Sequence, residues 1–251
     1  MSDTTIVLVT GAARGLGKAF AQLYLSRPKH IVIGTVRDPT ASNVQSLRES
    51  STAEGSRLHL FTLESSNSSD YPKLISGIKA LGINHLDLVI ANAGFCPQPA
   101  PLATVSTESV LEAYNVNAVG PFRLFQAARD LLKASPGTPK WVSISSGAGS
   151  IAGVLIYGTS FVAPYGMSKA AMNWHTLAIH QSEDWLISFA VHPGLVQTDM
   201  GNAGARVMGL EEAPNTIEEA ITKTTATIDA ATREATSGKF WNVIDGTELP
   251  L

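Results

Sequence analysis

Thr5-Ile6-Val7-Leu8-Val9-Thr10-Gly11-Ala12-Ala13-Arg14-Gly15-Leu16-Gly17-Lys18-Ala19-Phe20-Ala21-Gln22-Leu23-Tyr24-Leu25 contains three elements in one line. Residues 5–10 are an apolar run too short for a helix and suited to a buried parallel strand. Residues 18–25 read as a helix. Between them Gly11, Gly15 and Gly17 stand in a G-x-x-x-G-x-G spacing, which differs from the commoner G-x-G-x-x-G. Glycines here let the turn tighten and let the backbone approach a pyrophosphate. The helix that follows then offers its unpaired N–H groups to that anion.

The same alternation continues outward. A second apolar run, 30–36, ends at Arg37-Asp38-Pro39, and further runs fall at 58–63, 86–91, 141–146, 186–191 and 239–244. Helical stretches lie between them, near 41–50, 71–82, 106–133 and 216–235. Residues 198–214 are rich in glycine and asparagine and have no period, which predicts a mobile loop hinged at Gly201, Gly204 and Gly209. Strands alternating with helices along the whole chain predict an α/β fold. It is expected to be a single doubly wound Rossmann-type domain, residues 1–251, with a seven-stranded parallel sheet.

Composition narrows the function. With 251 residues, 44% hydrophobic and 16% charged, the chain can bury a sizeable core and does not read as disordered. A formal charge of -3 gives no electrostatic reason to expect nucleic acid. The single cysteine, Cys96, excludes an internal disulfide framework. No apolar run approaches the roughly 20 residues of a membrane helix, and the N-terminus lacks a secretory pattern. These features together predict a cytoplasmic protein without a membrane partner. The six histidines show no metal-ligand spacing, so no metal is expected.

A second stretch carries chemistry: Ser160-Phe161-Val162-Ala163-Pro164-Tyr165-Gly166-Met167-Ser168-Lys169. Pro164 suits a first helical turn, which puts Tyr165 and Lys169 on one face, four residues apart. A phenol has a pKa of about 10, and a nearby ammonium would lower it and make tyrosine a usable general acid or base.

With these residues in place the chain resembles the short-chain dehydrogenase/reductase family along nearly its whole length. The motifs appear in the family's order: Thr10 to Gly17, Asn92-Ala93-Gly94, Asn117, Ser146, Tyr165 with Lys169, then Pro193-Gly194 followed by Thr198. Val36-Arg37-Asp38-Pro39 and the segment from Ser237 to Gly246 further resemble sniffer-type carbonyl reductases and fungal norsolorinic acid ketoreductases. The resemblance implies a tetrad. Tyr165 would give a proton to a substrate carbonyl oxygen, and Lys169 would lower the tyrosine pKa and bond the nicotinamide ribose. Ser146 would steady the carbonyl oxygen, and Asn117 would hold a water linking Lys169 to solvent.

The implied cofactor is NADP(H), contacted by Gly11, Arg14, Gly15, Leu16, Gly17, Arg37, Glu64, Asn92, Ala93, Gly94, Tyr165, Lys169, Pro193, Gly194, Val196 and Thr198. Relatives that use NAD end the second strand in an acidic residue. Here that position is Val36, followed by Arg37, whose permanent charge suits a 2′-phosphate. Asp38 would take the acidic role if the strand ran one residue longer. Glu64 stands where relatives carry an aspartate toward the adenine.

Ser145 and Ser146 point to opposite faces of a strand, and the resemblance assigns the role to the second. Tyr157 lacks a lysine four residues on, since Phe161 stands there. Trp141, Trp174, Trp185 and Trp241 are expected in the core, His192 at a strand end, and Cys96 without chemistry.

The substrate would be a small carbonyl compound bordered by loops 94–104, 147–163 and 195–214. A homodimer or homotetramer is expected through the helices after strands four and five. Two alternatives stay open: a cyclase, dehydratase or epimerase using the same tetrad for proton transfer, and a non-catalytic NADPH-binding regulator.

Overall fold

Parallel strands that bury both faces need continuous apolar runs, and the chain supplies them. In the computed structural model, which describes residues 4–251, the strands are β1 (Thr5–Val9), β2 (His30–Val36), β3 (Arg57–Thr62), β4 (Leu88–Ala91), β5 (Lys140–Ile144), β6 (Ile187–His192), β7 (Phe240–Asn242) and β8 (Thr247–Glu248). The helices are α1 (Gly15–Leu25), α2 (Ser42–Arg48), α3 (Asp70–Ala80), α4 (Thr107–Tyr114), α5 (Gly120–Lys133), α6 (Val154–Tyr157), α7 (Ala163–Ser182), α8 (Asp199–Val207) and α9 (Ile217–Ala230).

All strands join one sheet in the order β3-β2-β1-β4-β5-β6-β7-β8. The chain reverses its winding between β1 and β4, and ligands of open α/β sheets bind at the carboxyl ends of strands at such a point. One core lies under α3, α5 and α7, around Trp141, Leu74 and Ile78. The other lies under α1 and α9, around Phe20, Tyr24 and Phe189.

Four expectations change. The sheet has eight strands, not seven, because β8 turns back antiparallel on β7, pairing Trp241 with Glu248 and Asn242 with Thr247. Its two residues are exposed, so no apolar pattern announces it. The helix expected across 106–133 is broken by a π-helical turn, Asn115–Val119, between α4 and α5. Pro121 supplies the reason: it has no N–H for the Asn117 carbonyl four residues back, and its ring crowds that carbonyl.

The unpatterned stretch 198–214 contains α8, capped by Thr198 Oγ1, which accepts from the Gly201 amide at 3.0 Å. A Cβ on Gly201 would collide with the Val196 carbonyl oxygen, so this glycine serves a close approach and not a hinge. Trp174 is 73% exposed on α7, whereas Trp141 is fully buried. Helical periodicity placed Trp174 in an element without saying which face that element buries.

His175, on α7, is buried in a cage of Phe122, Phe125 and Trp141, and neither ring nitrogen has a partner. Burial pushes its pKa down to about 4. The folded protein therefore keeps it neutral while the unfolded chain takes up a proton below about pH 6.5. This contribution is complete above that value and is lost as pH falls toward 4. It amounts to about 2 kcal/mol between pH 7 and about pH 5. Urea unfolding at the two pH values should show the loss, and His175→Leu should reduce it by that amount, leaving the part contributed by His192, which burial also pushes down to about 4; an unchanged slope would refute the assignment.

Candidate active site

The glycine turn leaves β1 and enters α1 as the spacing requires. Gly11 has φ +70 and Gly15 φ +53, conformations a side chain rarely adopts. A Cβ on Gly17 would collide with the Gly11 carbonyl oxygen and come within 2.5 Å of Asn92 Nδ2. The turn is thus pressed against the end of β4. Thr10 locks the two together: its Oγ1 accepts from the Asn92 and Ala93 amides at 3.0 Å each, while Asn92 Nδ2 donates to the Thr10 carbonyl at 2.9 Å.

Arg14 is the α1 cap residue in extended backbone; no side chain caps the helix and its first turn holds no acid. An uncapped helix N-terminus over a glycine cradle fits the pyrophosphate of a dinucleotide. Thr198 closes the other side, with its Cγ2 3.4 Å from where a Cβ on Gly15 would stand. Pro193 leads into Gly194, at φ +89, where a Cβ would run into Asn215 and Ile244. Val196 bridges to Asn215 at the base of α8. Leu16 is half-buried in the first turn of α1.

Beyond the turn, β2 ends at Val36, and Arg37 and Asp38 are exposed. Asp38 Oδ1 accepts from the Thr40 amide at 2.8 Å and from its hydroxyl at 2.6 Å, and those bonds hold its carboxyl below the usual range. That carboxylate is engaged in its own turn. Two other expected contacts are drawn elsewhere as well. Arg14 Nη1 pairs with Asp199 Oδ2 at 2.9 Å, an exposed pair of small worth. Glu64 Oε1 accepts from the Ser66 amide and hydroxyl at 3.3 and 3.2 Å within its own loop.

The tetrad residues come together at the carboxyl ends of β4 and β5. Asn117, in the π turn, is fully buried. Its Oδ1 accepts from the Phe95 amide, and its Nδ2 donates to the Phe95 carbonyl and to Ser168 Oγ, at 2.7 to 2.9 Å. A Cβ on Gly94 would lie 3.4 Å from Asn117 Oδ1 and 3.5 Å from Lys169 Nζ. The side chain is therefore fully used in clamping the turn after β4. Both Nδ2 hydrogens are spent on protein partners, so this amide has no donor left for the expected water link to Lys169.

Lys169 is buried and donates to the Ile144 carbonyl at 2.7 Å, with Met172 Sδ at 3.4 Å. Burial pushes its pKa down to about 8. Its Nζ stands 5.7 Å from the centre of the Tyr165 ring. Burial pushes the Tyr165 phenol up, Cys96 pushes the same way, and a hydrogen bond with Ser146 lowers it. The net rise corrects the expectation that Lys169 would depress this phenol: desolvation outweighs the partners.

Ser146 extends from β5 half-exposed, whereas Ser145 is buried with its hydroxyl unpartnered. Tyr157 lies apart on α6, 44% exposed, its ring against Gly153.

The work of three residues of this cluster was not legible in the linear chain, although Thr10 opens the glycine motif. Thr10 and Ser168 act through hydrogen bonds to residues far away in sequence. Cys96 lies near enough to influence both Tyr165 and Lys169, its own thiol pushed up to about 11 by burial. It is protonated at neutral pH and thus a poor nucleophile. Among the described residues no cluster of His, Cys, Asp and Glu could hold a metal, and no helix is long and apolar enough to cross a membrane.

A sequence model of the short chain dehydrogenases matches residues 5–208. Short-chain dehydrogenase srdF of Neurospora crassa is 45% identical over 100% of this chain and 99% of its own. Norsolorinic acid ketoreductase of Aspergillus parasiticus is 36% identical over 99% and 92%. Among solved structures, NADPH-bound carbonyl reductase from chicken fatty liver superposes with TM-score 0.85 at 27% identity, covering 99% of this chain and 94% of that one. Carbonyl reductase Sniffer of D. melanogaster gives 0.84 at 26%, covering 99% and 100%.

Proposed function

The chain belongs to the short-chain dehydrogenase family, and within it we propose an NADPH-dependent reductase that converts a ketone or aldehyde to an alcohol in secondary metabolism. One observation carries this reading: Ser146 and Lys169 converge on Tyr165 beside the glycine cradle, at the carboxyl edge of the sheet. The norsolorinic acid ketoreductase relative and the NADPH-bound carbonyl reductase structure support it.

Bound NADPH would supply a hydride. The chain's own residues do the rest. A phenol held protonated by burial is ready to donate to a carbonyl oxygen as it becomes an alkoxide. Ser146 offers that oxygen a second hydrogen bond, and such a preorganised donor acts most strongly where charge develops. Lys169, with a pKa of about 8, remains mainly charged at neutral pH and sets a positive field behind the tyrosine. Asn117 holds the turn carrying Gly94 in place.

Gly11, Gly15, Leu16 and Gly17 would receive the pyrophosphate, Arg37 and Arg14 the 2′-phosphate, and Asn92, Ala93, Gly94, Pro193, Gly194, Val196 and Thr198 the nicotinamide half. Glu64 would reach the adenine only by leaving its own turn. An assembly of subunits is supported by Leu111, Phe122, Met167 and Trp174, apolar and exposed on α4, α5 and α7.

The test is a panel of ketones and quinones followed by NADPH absorbance. One NADPH consumed per alcohol formed is expected. Product formed without NADPH consumption would replace this reading with proton-transfer chemistry.

A further inference from the structure

Residues 88–107 and 141–168 contain no Asp, Glu, Lys, Arg or His. Two of the three loops bordering Tyr165 therefore offer a substrate no charge. The third, 195–214, carries Asp199, which Arg14 engages, and the exposed Arg206, Glu211 and Glu212 at and beyond the C-terminal end of α8. Within the longer of these stretches, Ile151 is 74%, Leu155 95% and Ile156 72% exposed, and α6 buries none of its residues. One helical turn whose residues are all exposed is not stabilised by its own hydrogen bonds. A concentrated apolar surface of this kind marks a ligand or partner site.

Both feet of the segment are fixed to the elements that carry the tetrad. On the Ser146 side, a Cβ on Gly149 would lie 2.7 Å from Lys169 Cβ. The Ser150 hydroxyl there accepts from the Gly153 amide at 2.9 Å and donates to the Pro250 carbonyl at 2.6 Å. On the Tyr165 side, the Phe161 carbonyl accepts from the Ala100 amide at 3.0 Å, tying in the loop that bears exposed Leu102. Between the feet, Gly158 turns through φ +59 with open space around it.

We infer that the substrate is an uncharged carbonyl compound whose apolar body extends beyond the tetrad, and that residues 151–157 form a strap covering that body, with Leu155 and Ile156 setting specificity. The inference rests on the reductase reading above. A lipid surface fits less well, because interfacial helices carry Lys or Arg toward anionic headgroups and the strap has none. A second copy of the chain has its own apolar face on α4, α5 and α7.

The experiment measures kcat/KM with NADPH for cyclohexanone, for androstanone, in which the same ring carries an apolar tetracyclic body, and for the charged acetoacetyl coenzyme A. Wild type should favour androstanone. The double variant Leu155→Gln/Ile156→Gln should lose about 10- to 200-fold on androstanone, the range expected when apolar pocket contacts are removed. It should keep its rate on cyclohexanone, which also shows that the variant folds.

Equal loss on both ketones, no loss on either, or preference for acetoacetyl coenzyme A would overturn the inference. A fall in sedimenting mass of the variant would make the strap a subunit contact. Vesicle binding to phosphatidylcholine by wild type alone would make it a membrane contact. If no ketone is reduced, the reductase reading fails. The strap is then judged by hydrogen exchange at 154–157 with androstanone: protection sustains it, and unchanged exchange overturns it.

Discussion

Tyr165→Phe should lower kcat for ketone reduction by about 10²–10⁴-fold, the usual contribution of a positioned general acid, while leaving the fold and NADPH affinity intact. The substitution removes one hydroxyl and keeps the ring, so its position beside the Lys169 ammonium is preserved. The lost group is the one that shares a hydrogen bond with Ser146 and lies under the influence of Cys96. Tyr157→Phe is the comparison variant, since Tyr157 is exposed on α6 and has Phe161, not a lysine, one turn on. Circular dichroism and NADPH titration verify that the variant is folded and binds. Near wild-type turnover in Tyr165→Phe, with loss in Tyr157→Phe, would transfer the role.

Arg37→Ala should weaken NADPH binding by roughly 10- to 150-fold and leave NADH nearly unchanged. A hydrogen bond to a charged group contributes about 1.5–3 kcal/mol, which converts to that range of dissociation constants. The register of β2 supports this expectation. Its pairing with β3 ends at Val36 opposite Thr62, so Arg37 follows the strand end and stands exposed beside the glycine turn. Asp38, the rival for a ribose hydroxyl, is taken by Thr40. Equal loss of NADPH and NADH on mutation, or equal affinity of wild type for both, would refute NADP selectivity.

The sequence by itself determined the layered architecture and where its candidate functional positions fall along the chain. Short apolar runs such as 5–10 and 30–36 can only be buried strands when helical stretches separate them. Glycine at 11, 15 and 17 then leaves one place for a phosphate-binding turn. These are local requirements, written in neighbouring residues. What only the tertiary structure decided depends on contacts between distant parts. The π turn at Asn117 was latent in Pro121, but its consequence, a side chain spent on Phe95 and Ser168, needs α7 alongside. Thr198 could be seen as a motif residue, yet its work as the α8 cap pressed near Gly15 needs the loop folded back on β1.

The phenol of Tyr165 shows the limit most plainly. Spacing puts a lysine one turn away and argues for a lowered pKa, but the sign depends on how much water the fold removes. Here burial dominates the nearby partners. Exposure of Trp174 and of the strap at 151–157 was hidden for the same reason. Periodicity reports that a face is apolar, and only the packed structure reports whether anything covers it.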